Sequence, residues 1–184
     1  MNKPINIHTP LTDEICEALT VGDIVLLTGD VITGRDTAHR RLSDAVLAGD
    51  PLPVTLAGAT LFYAAPTPAR PGQVIGSIGP TTSSRMDRYT PMLIERGLRG
   101  MIGKGKRSAE VRDSMKRYKA IYFGAMGGVA ALLAGCVRKA EVVAYADLGP
   151  EAMMHLEVVK FPLVVVNDVR GGDLYEDAAA RYRR

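Results

Sequence analysis

Residues 72–105 read GQVIGSIGPTTSSRMDRYTPMLIERGLRGMIGKG, and this stretch indicates how the chain folds. The apolar run QVIGSI predicts a strand, and LRGMIGKG predicts a second one. Between them, RMDRYTPMLIERG predicts a helix in which Met86, Tyr89 and Leu93 share one face, with Pro91 either in its first turn or bending it. A strand, a helix and another strand in succession are typical of an α/β fold.

The rest of the chain alternates in the same way. The predicted helices cover 9–20 with Thr12 as N-cap, 35–49 with Gly49 as its stop, 108–120, and an apolar, buried segment at 127–137. The predicted strands are 23–29 ending at a glycine turn, one or two within 51–66, then 120–126, 141–147 and 162–169. The final residues, 172–184, form a peripheral helix or tail. Because the block 51–78 is rich in strands, we expect a mixed sheet with a second strand-rich layer.

Length and composition fit a single globular domain over residues 1–184, with a short N-terminal extension and a C-terminal tail. Hydrophobic residues make up 47% and charged residues 23% of the chain. No apolar run approaches the roughly 20 residues that cross a bilayer, and the N-terminus lacks the apolar stretch of a secretory signal. Cys16 and Cys136 lie far apart in apolar contexts, which favours buried thiols in the cytoplasm. Two cysteines are too few to hold an iron–sulfur cluster, which takes about three or four ligands.

Positive charge is concentrated in one segment. Residues 85–119 contain eleven Lys or Arg and four Asp or Glu, which favours an anionic partner, although many of these side chains would also suit a solvated helix face. Nucleic acid is a poor candidate, because within 99–119 only Tyr118 could stack on a base and no nucleic-acid-binding motif occurs.

The hydroxyl-rich loop follows a predicted strand and opens a predicted helix. This geometry exposes backbone N–H groups at a positive dipole end and therefore suits an anion. Arg85 adds a planar guanidinium that grips a carboxylate with two bonds. The hydroxyl donors of the loop are Thr81, Thr82, Ser83 and Ser84. The alternative is that one hydroxyl is an ordinary helix cap and Arg85 a surface residue.

Two further strand ends carry cations. Lys104 lies between two glycines in MIGKG, which leaves its ammonium accessible, as in any exposed turn lysine. In TGDVITGRDTAHRRL, Arg35 and Asp36 open a helix and His39 follows one turn later. Asp36 could simply favour the helix N-terminus and His39 could simply pack, so Arg35 is the stronger substrate-binding candidate.

Ligands of open α/β sheets gather at the carboxyl ends of strands. Two or three cations meeting there imply a small ligand with two carboxylates or phosphates. The chain contains no Walker lysine pattern, G-x-G-x-x-G, H-E-x-x-H or C-x-x-C, which disfavours a nucleotide or an autonomous metal site. The residues alone therefore predict a dianion site without its own metal.

Three segments together resemble the beta subunit of class I iron–sulfur hydro-lyases, the two-subunit fumarases and L(+)-tartrate dehydratases. They are GDIVLLTGDVITGRDTAHRRL, GPTTSSRMDRYTPMLIERGLRGMIGKG and FPLVVVNDVRGGDLY, and the resemblance extends from about residue 5 to residue 175. It implies a swivelling β/β/α domain and a [4Fe–4S] cluster that is held by the alpha subunit. Single-chain relatives carry the same region as their C-terminal domain.

The resemblance also implies roles for individual residues. Arg35, Arg85 and Lys104 would bind substrate carboxylates, and Thr81 would be the catalytic base. Asp36, His39, Thr82 and Ser83 would support them. Ser84 stands where the family leads us to expect glycine or another small residue. The reaction implied is the reversible hydration of fumarate to malate by the assembled alpha and beta subunits.

Two other functions stay open at this point. Dehydration of L(+)-tartrate differs by one substrate hydroxyl, and nothing in the sequence separates it from fumarate hydration. A dicarboxylate-binding module without turnover is the other alternative. We expect an apolar docking patch for the alpha subunit, and the isolated chain could self-associate through that patch.

Overall fold

The computed structural model describes residues 3–125 and 128–182, and a closed ring of five β-strands lies at its centre. The strands are β1 Ile5–His8, β2 Ile24–Thr33, β3 Thr60–Phe62, β4 Gly100–Gly103, β5 Ile121–Gly124, β6 Val137–Ala144 and β7 Met153–Asn167. They pair in the order β1-β2-β3-β4-β5-β7-β6, and β7 also pairs with β2. This last pairing closes β2, β3, β4, β5 and β7 into a barrel-like ring, with β1 and β6 attached outside it.

The strand directions confirm a mixed sheet. Consecutive pairs from β1 to β5 are parallel, whereas β7 runs antiparallel to β2, β5 and β6. The carboxyl ends of β2, β3, β4 and β5 therefore meet at one edge of the ring, which is called the carboxyl edge below. Loops and helices leaving this edge carry all the predicted site residues.

The helices are α1 Asp13–Ala18, α2 Asp36–Ala48, α3 Thr90–Glu95, α4 Ala109–Tyr118, α5 Ala130–Gly135 and α6 Leu174–Tyr182, with 3₁₀ helices at Ser83–Met86 and Ala146–Glu151. The Thr12 hydroxyl accepts a hydrogen bond from Ile15 N, which confirms the predicted cap of α1. Gly49 ends α2 in the left-handed conformation, as its position in the sequence predicts. Pro91 lies in the first turn of α3, where its missing N–H costs nothing.

Successive residues of the short strands point to opposite sides and build two cores. Phe62 belongs to the cluster that fills the ring and packs edge-on against Phe161, with ring centroids 5.5 Å apart. Its neighbour Leu61 belongs to an outer cluster that also contains Leu42 of α2 and Met115 of α4. Burial on both faces explains why these strands are short, continuous apolar runs rather than alternating ones.

Several strand predictions are wrong. The block 51–78, expected to be rich in strands, contains β3 alone among the named strands, and the strands predicted at 141–147 and 162–169 begin earlier, at Val137 and Met153. β2 does not end at Gly29; it continues to Thr33, and Gly29 adopts a φ of 118° at the point where the pairing with β7 shifts. A side chain at Gly29 would collide with Thr9, so the glycine permits close approach rather than a turn. Residues 72–79 form no strand, although Ile75 and Ile78 are buried as the apolar pattern suggests.

Two helix predictions also need correction. The helix predicted at 85–97 is divided into a 3₁₀ helix and α3. α5 is not the buried helix that the sequence predicts, because Leu133 is its buried residue and the neighbouring Leu132 is 57% exposed. At 172–184, where a peripheral helix or tail is predicted, the structure contains the helix α6, which packs on β7.

Met126, Gly127, Arg183 and Arg184, which fall within three of the predicted segments, lie outside the described residues. Of the described helices, none is long and apolar enough to cross a membrane.

Candidate functional site

Backbone hydrogen bonds insert the Thr81–Ser83 segment between two strand ends at the carboxyl edge. Thr81 N donates to Tyr63 O at 2.6 Å, just beyond β3, and Lys104 N donates to Thr81 O at 3.3 Å, just beyond β4. Ser83 N in turn donates to Lys104 O at 2.9 Å. Thr81 and Lys104 are therefore direct backbone neighbours, although 22 residues lie between them in the sequence.

Arg85 and Asp36 join this segment to α2. Arg85 Nε lies 2.8 Å from Asp36 Oδ1, and Arg85 Nη2 lies 2.8 Å from Asp36 Oδ2. This two-point contact holds the guanidinium in one plane with half of the Arg85 side chain exposed, and it places the Asp36 charge at the N-terminus of α2. Asp36 therefore fixes the orientation of the Arg85 guanidinium, and the side chain stays accessible to solvent.

Arg35 is the N-cap residue of α2, directly before Asp36, and its side chain contacts a different segment. Its Nη2 lies 3.5 Å from Glu151 Oε1, at the end of a 3₁₀ helix. Its Nε is buried and has no hydrogen-bond partner among the described residues. A buried cationic donor without an acceptor is energetically costly. The exposed part of the side chain, 24% of its surface, is the part that a ligand can contact.

His39, in the first turn of α2, is fully buried. Its Nδ1 donates to Arg35 O at 2.9 Å, and its ring packs edge-on against Tyr63 with centroids 5.0 Å apart. Burial lowers the pKa of His39 to about 4. The ring is therefore neutral at physiological pH and supports the Arg35 backbone, which fits the supporting role expected for it.

The remaining hydroxyls of the loop differ in exposure. Thr81 is half-buried, Thr82 and Ser84 are exposed, and Ser83 is completely buried. The Ser83 hydroxyl lies 2.8 Å from the Tyr122 hydroxyl in β5, so it faces the protein rather than a ligand.

The two glycines around Lys104 have separate functions. A methyl group on Gly103 would overlap Ser83 Oγ, so glycine is needed there for the Thr81–Ser83 segment to approach β4. Gly105 adopts a φ of 84°, which turns the chain directly after Lys104.

The sequence did not reveal several residues that build the site. They are Tyr63, Arg107, Tyr122, Glu151 and Tyr175. Arg107 is buried, its Nε lies 2.7 Å from Asp87 Oδ1, and its guanidinium lies over the rings of Tyr63 and Tyr122. The sequence does contain one signal, since Tyr63 and Tyr122 place hydroxyl groups in or beside apolar strands, and buried polar atoms need hydrogen-bond partners. The sequence does not reveal which partners these are, because they come from distant segments.

The residues present do not fit an iron–sulfur cluster. Within 3–125 and 128–182, no three His, Cys, Asp or Glu side chains are placed to share a metal ion. Burial raises the pKa of Cys16 to about 12 and also raises the pKa of Cys136, so both stay thiols, whereas cluster ligands are thiolates.

A cavity of about 470 Å³ lies elsewhere, between β2, the 53–60 segment, β6 and β7. Asp30, Glu141 and His155 are among its lining residues, together with apolar side chains, and the lining contains none of the predicted site residues. Because none of the predicted site residues lines it, we assign it no role in the proposed chemistry.

Comparison with known proteins gives consistent results. A family model described as Fumarase C-terminus matches residues 1–178. The chain is 36% identical over 177 residues to the class I aerobic fumarate hydratase of Salmonella typhimurium, covering 94% of this chain and 30% of that protein. It is 40% identical over 152 residues to the class I anaerobic fumarate hydratase of Escherichia coli, covering 82% and 28%. It is 37% identical over 173 residues to a putative L(+)-tartrate dehydratase subunit beta of Methanocaldococcus jannaschii, covering 91% and 89%.

Proposed function

The chain belongs to the Fumarase C-terminus family, and we propose that it is the beta subunit of a heteromeric class I [4Fe–4S] hydro-lyase that reversibly hydrates fumarate to malate. The chain spans about a third of the length of the fumarate hydratases that it matches, but 89% of the relative named as a beta subunit. In extent the chain corresponds to the relative named as a subunit beta, and in this proposal it works with a separate alpha subunit.

The observation that carries the proposal is the meeting of three segments at the carboxyl edge. The contact between Asp36 and Arg85 joins the start of α2, where Arg35 lies, to the segment that carries Arg85. Backbone hydrogen bonds join Thr81 to Lys104. In the proposed complex, Arg35, Arg85 and Lys104 bind the carboxylates of a four-carbon diacid. Arg85 keeps one terminal nitrogen that Asp36 does not contact, and 24% of the Arg35 side chain stays exposed.

In the dehydration direction we assign Thr81 the role of base. Its Oγ, as the alkoxide, takes a proton from the carbon next to one carboxylate, and a C=C bond forms as hydroxide leaves the adjacent carbon. A threonine hydroxyl is a very weak acid, and the neighbouring cations favour its alkoxide form. Arg85 and Lys104 also stabilise the negative charge that develops on the carboxylate in the transition state.

The cluster belongs to the alpha subunit in this proposal, since the residues described here do not fit it. The two free cysteines fit a protein of a reducing compartment, the cytoplasm, better than a secreted one.

The surface beside the site suits this partner. Val74, in the loop after β3, is 50% exposed, and Leu132, in α5 after β5, is 57% exposed. The two elements follow β3 and β5 and touch through the Ile78 N to Ala130 O hydrogen bond at 3.2 Å, and Val74 lines the same cavity as Ala131 and Ala134 of α5. Because about two-thirds of each fumarate hydratase lies outside this domain and the site is open here, we propose that the alpha subunit docks on the Val74–Leu132 face.

The test is to co-express the chain with its alpha subunit, reconstitute iron and sulfide anaerobically, and assay fumarate hydration and L(+)-tartrate dehydration separately. We expect fumarate turnover, and Arg85→Ala and Lys104→Ala should each reduce kcat/KM by at least about a hundredfold, because each removes a charge that contacts the substrate. Both side chains are exposed, so circular dichroism and co-purification should match the wild type.

The outcomes separate the alternatives. Turnover of tartrate in place of fumarate would assign the chain to the dehydratase. Dicarboxylate binding without turnover, with both subunits intact, would favour the binding module. Near-normal activity of either variant would remove that residue from the site.

A further inference from the structure

Two tyrosine hydroxyls hold the turn that carries Lys104. Gly105 N donates to the Tyr175 hydroxyl at 3.1 Å, and Gly105 O accepts from the Tyr122 hydroxyl at 2.9 Å. Both backbone polar groups of the residue after Lys104 are therefore fixed by side chains from outside the turn, one from β5 and one from α6.

The Tyr122 hydroxyl also contacts the neighbouring segment. It lies 2.8 Å from Ser83 Oγ, and both side chains are buried. A phenol carries one proton, and a carbonyl oxygen can only accept, so Tyr122 donates to Gly105 and Ser83 donates to Tyr122. One hydroxyl group thus joins the Lys104 turn to the segment that carries Thr81 and Arg85.

The Tyr122 ring has little freedom to move. The Arg107 guanidinium lies 5.0 Å from its centroid, and Arg107 is itself held by Asp87 and by Thr90 Oγ1, the latter 2.9 Å from Arg107 Nη2. Burial raises the pKa of Tyr122, so the phenol keeps the proton that it donates.

Tyr175 is brought to the turn by the attachment of α6 to α4. Arg112 Nη1 lies 3.2 Å from Asp173 Oδ2 and 2.9 Å from Glu176 Oε1. Asp173 Oδ1 accepts from Tyr175 N at 2.9 Å and so caps the start of α6. The C-terminal helix is therefore coupled to Lys104 through a single phenol.

We infer that Tyr122 and Tyr175 are positioning residues that fix Lys104 relative to Thr81 and Arg85. The inference rests on the proposed function for its kinetic consequence, but the hydrogen-bond chain Ser83–Tyr122–Gly105–Tyr175 can be tested without it. Small displacements of catalytic groups cost large factors in rate, so the loss of one connecting hydroxyl should act mainly on kcat.

The kinetic test uses the assembled enzyme with Tyr122→Phe. We expect kcat to fall by about tenfold or more while KM changes by less than about threefold, because the three cations remain available to the substrate. Tyr118→Phe is the control. It also removes a hydroxyl that donates a side-chain hydrogen bond, to Glu95 Oε1 at 3.3 Å, but Tyr118 lies at the end of α4 and this bond joins no site segments. An equal loss in both variants would overturn the inference.

A double-mutant cycle identifies the bond itself. Because Ser83 acts through Tyr122, the combination of Ser83→Ala with Tyr122→Phe should lower kcat no further than Tyr122→Phe alone. Additive losses would show that the two residues act separately and would contradict the proposed chain.

Amide hydrogen exchange of the full chain gives a readout independent of activity. Tyr122→Phe should raise exchange at Ser83 N by about tenfold or more, since its bond to Lys104 O depends on the joined segments, and leave the β4 amide of Ile102 unchanged. Tyr175→Phe should do the same at Gly105 N and leave Ser83 N unchanged. Unaltered exchange at these amides would refute the positioning role, whereas altered exchange in an enzyme without hydro-lyase activity would refute only the proposed function.

Discussion

Thr81 is the residue whose assignment depends most on its surroundings. Its backbone is fixed by Tyr63 on one side and Lys104 on the other, so its half-buried hydroxyl is held at the carboxyl edge. Nothing in a lone threonine predicts basicity. The assignment rests on the cations beside it and on the family resemblance.

Thr81→Ala separates binding from chemistry. We expect kcat to fall by at least about a hundredfold with KM nearly unchanged, because a base acts on the barrier rather than on substrate affinity. Steady-state kinetics of the assembled enzyme measure both values. A raised KM with normal kcat would instead make Thr81 a binding residue.

His39 links stability to pH. Its pKa is about 4 in the folded chain and about 6.5 when unfolded, so between these values only the unfolded chain binds the proton. The free energy of unfolding should therefore decrease as the pH falls from 6.5 to 4, with His39 contributing about 3 kcal/mol to that decrease. Urea titrations at several pH values measure this free energy of unfolding.

His39→Asn is the control for this pH dependence, because asparagine does not titrate and retains an N–H donor for Arg35 O. The variant should lose less stability than the wild type between pH 6.5 and pH 4. Equal losses would contradict the depressed pKa.

The sequence predicted charged residues for the site but did not predict their contacts. Arg35 and Lys104 follow the ends of β2 and β4, as the order of apolar runs and glycines predicts, whereas the strand predicted before Arg85 does not form. The pairing of Arg85 with Asp36 is not readable, because it depends on how α2 packs against the 3₁₀ helix at Ser83–Met86. The same holds for Tyr122 and Tyr175, which enter from distant segments.

At the scale of whole elements, β4 and the Thr81–Ser83 segment approach closely only because Gly103 has no side chain. Gly103→Ala should lower the free energy of unfolding by about 1–3 kcal/mol, since the new methyl group would overlap Ser83 Oγ. Gly135→Ala is the control, because a methyl group there meets nothing within 4 Å and alanine favours the helix. Denaturant unfolding measures the free energy of unfolding of both variants. Equal stability of the two would contradict the close approach of β4 and the Thr81–Ser83 segment.

Apolar periodicity predicted which residues are buried better than which elements they form. Ile75 and Ile78 are buried, yet residues 72–79 are not a strand, because their hydrogen bonds go to a local loop and to α5. In α5 the opposite occurred, since an apolar composition accompanies an exposed helix. An apolar surface that a partner covers has the same composition as a core, so sequence alone does not distinguish them.

For the whole molecule, the closed ring leaves the carboxyl edge as the open end of the site, and the Val74–Leu132 face borders it. Val74→Lys with Leu132→Lys should abolish co-purification with the alpha subunit and leave the isolated chain folded, because both side chains are already exposed. Size-exclusion chromatography would also show whether the wild-type chain self-associates through this face.

Leu47→Lys provides the matched control for docking. Leu47 is 73% exposed near the far end of α2, about 17 Å along the helix from the carboxyl edge. This variant should pair with the alpha subunit normally. Loss of pairing in Leu47→Lys, or normal pairing in the double variant, would place the interface elsewhere.

The carboxylates that orient the two arginines also cancel their charge. Asp36 offsets Arg85, Glu151 lies 3.5 Å from Arg35, and within the described ranges Lys104 forms no ion pair, so these five groups leave a surplus of one positive charge. A doubly charged diacid placed here would stay one charge short of electroneutrality. In the proposed complex the alpha subunit would supply the missing positive charge, so the chain alone should hold a dianion weakly and release it readily as ionic strength rises.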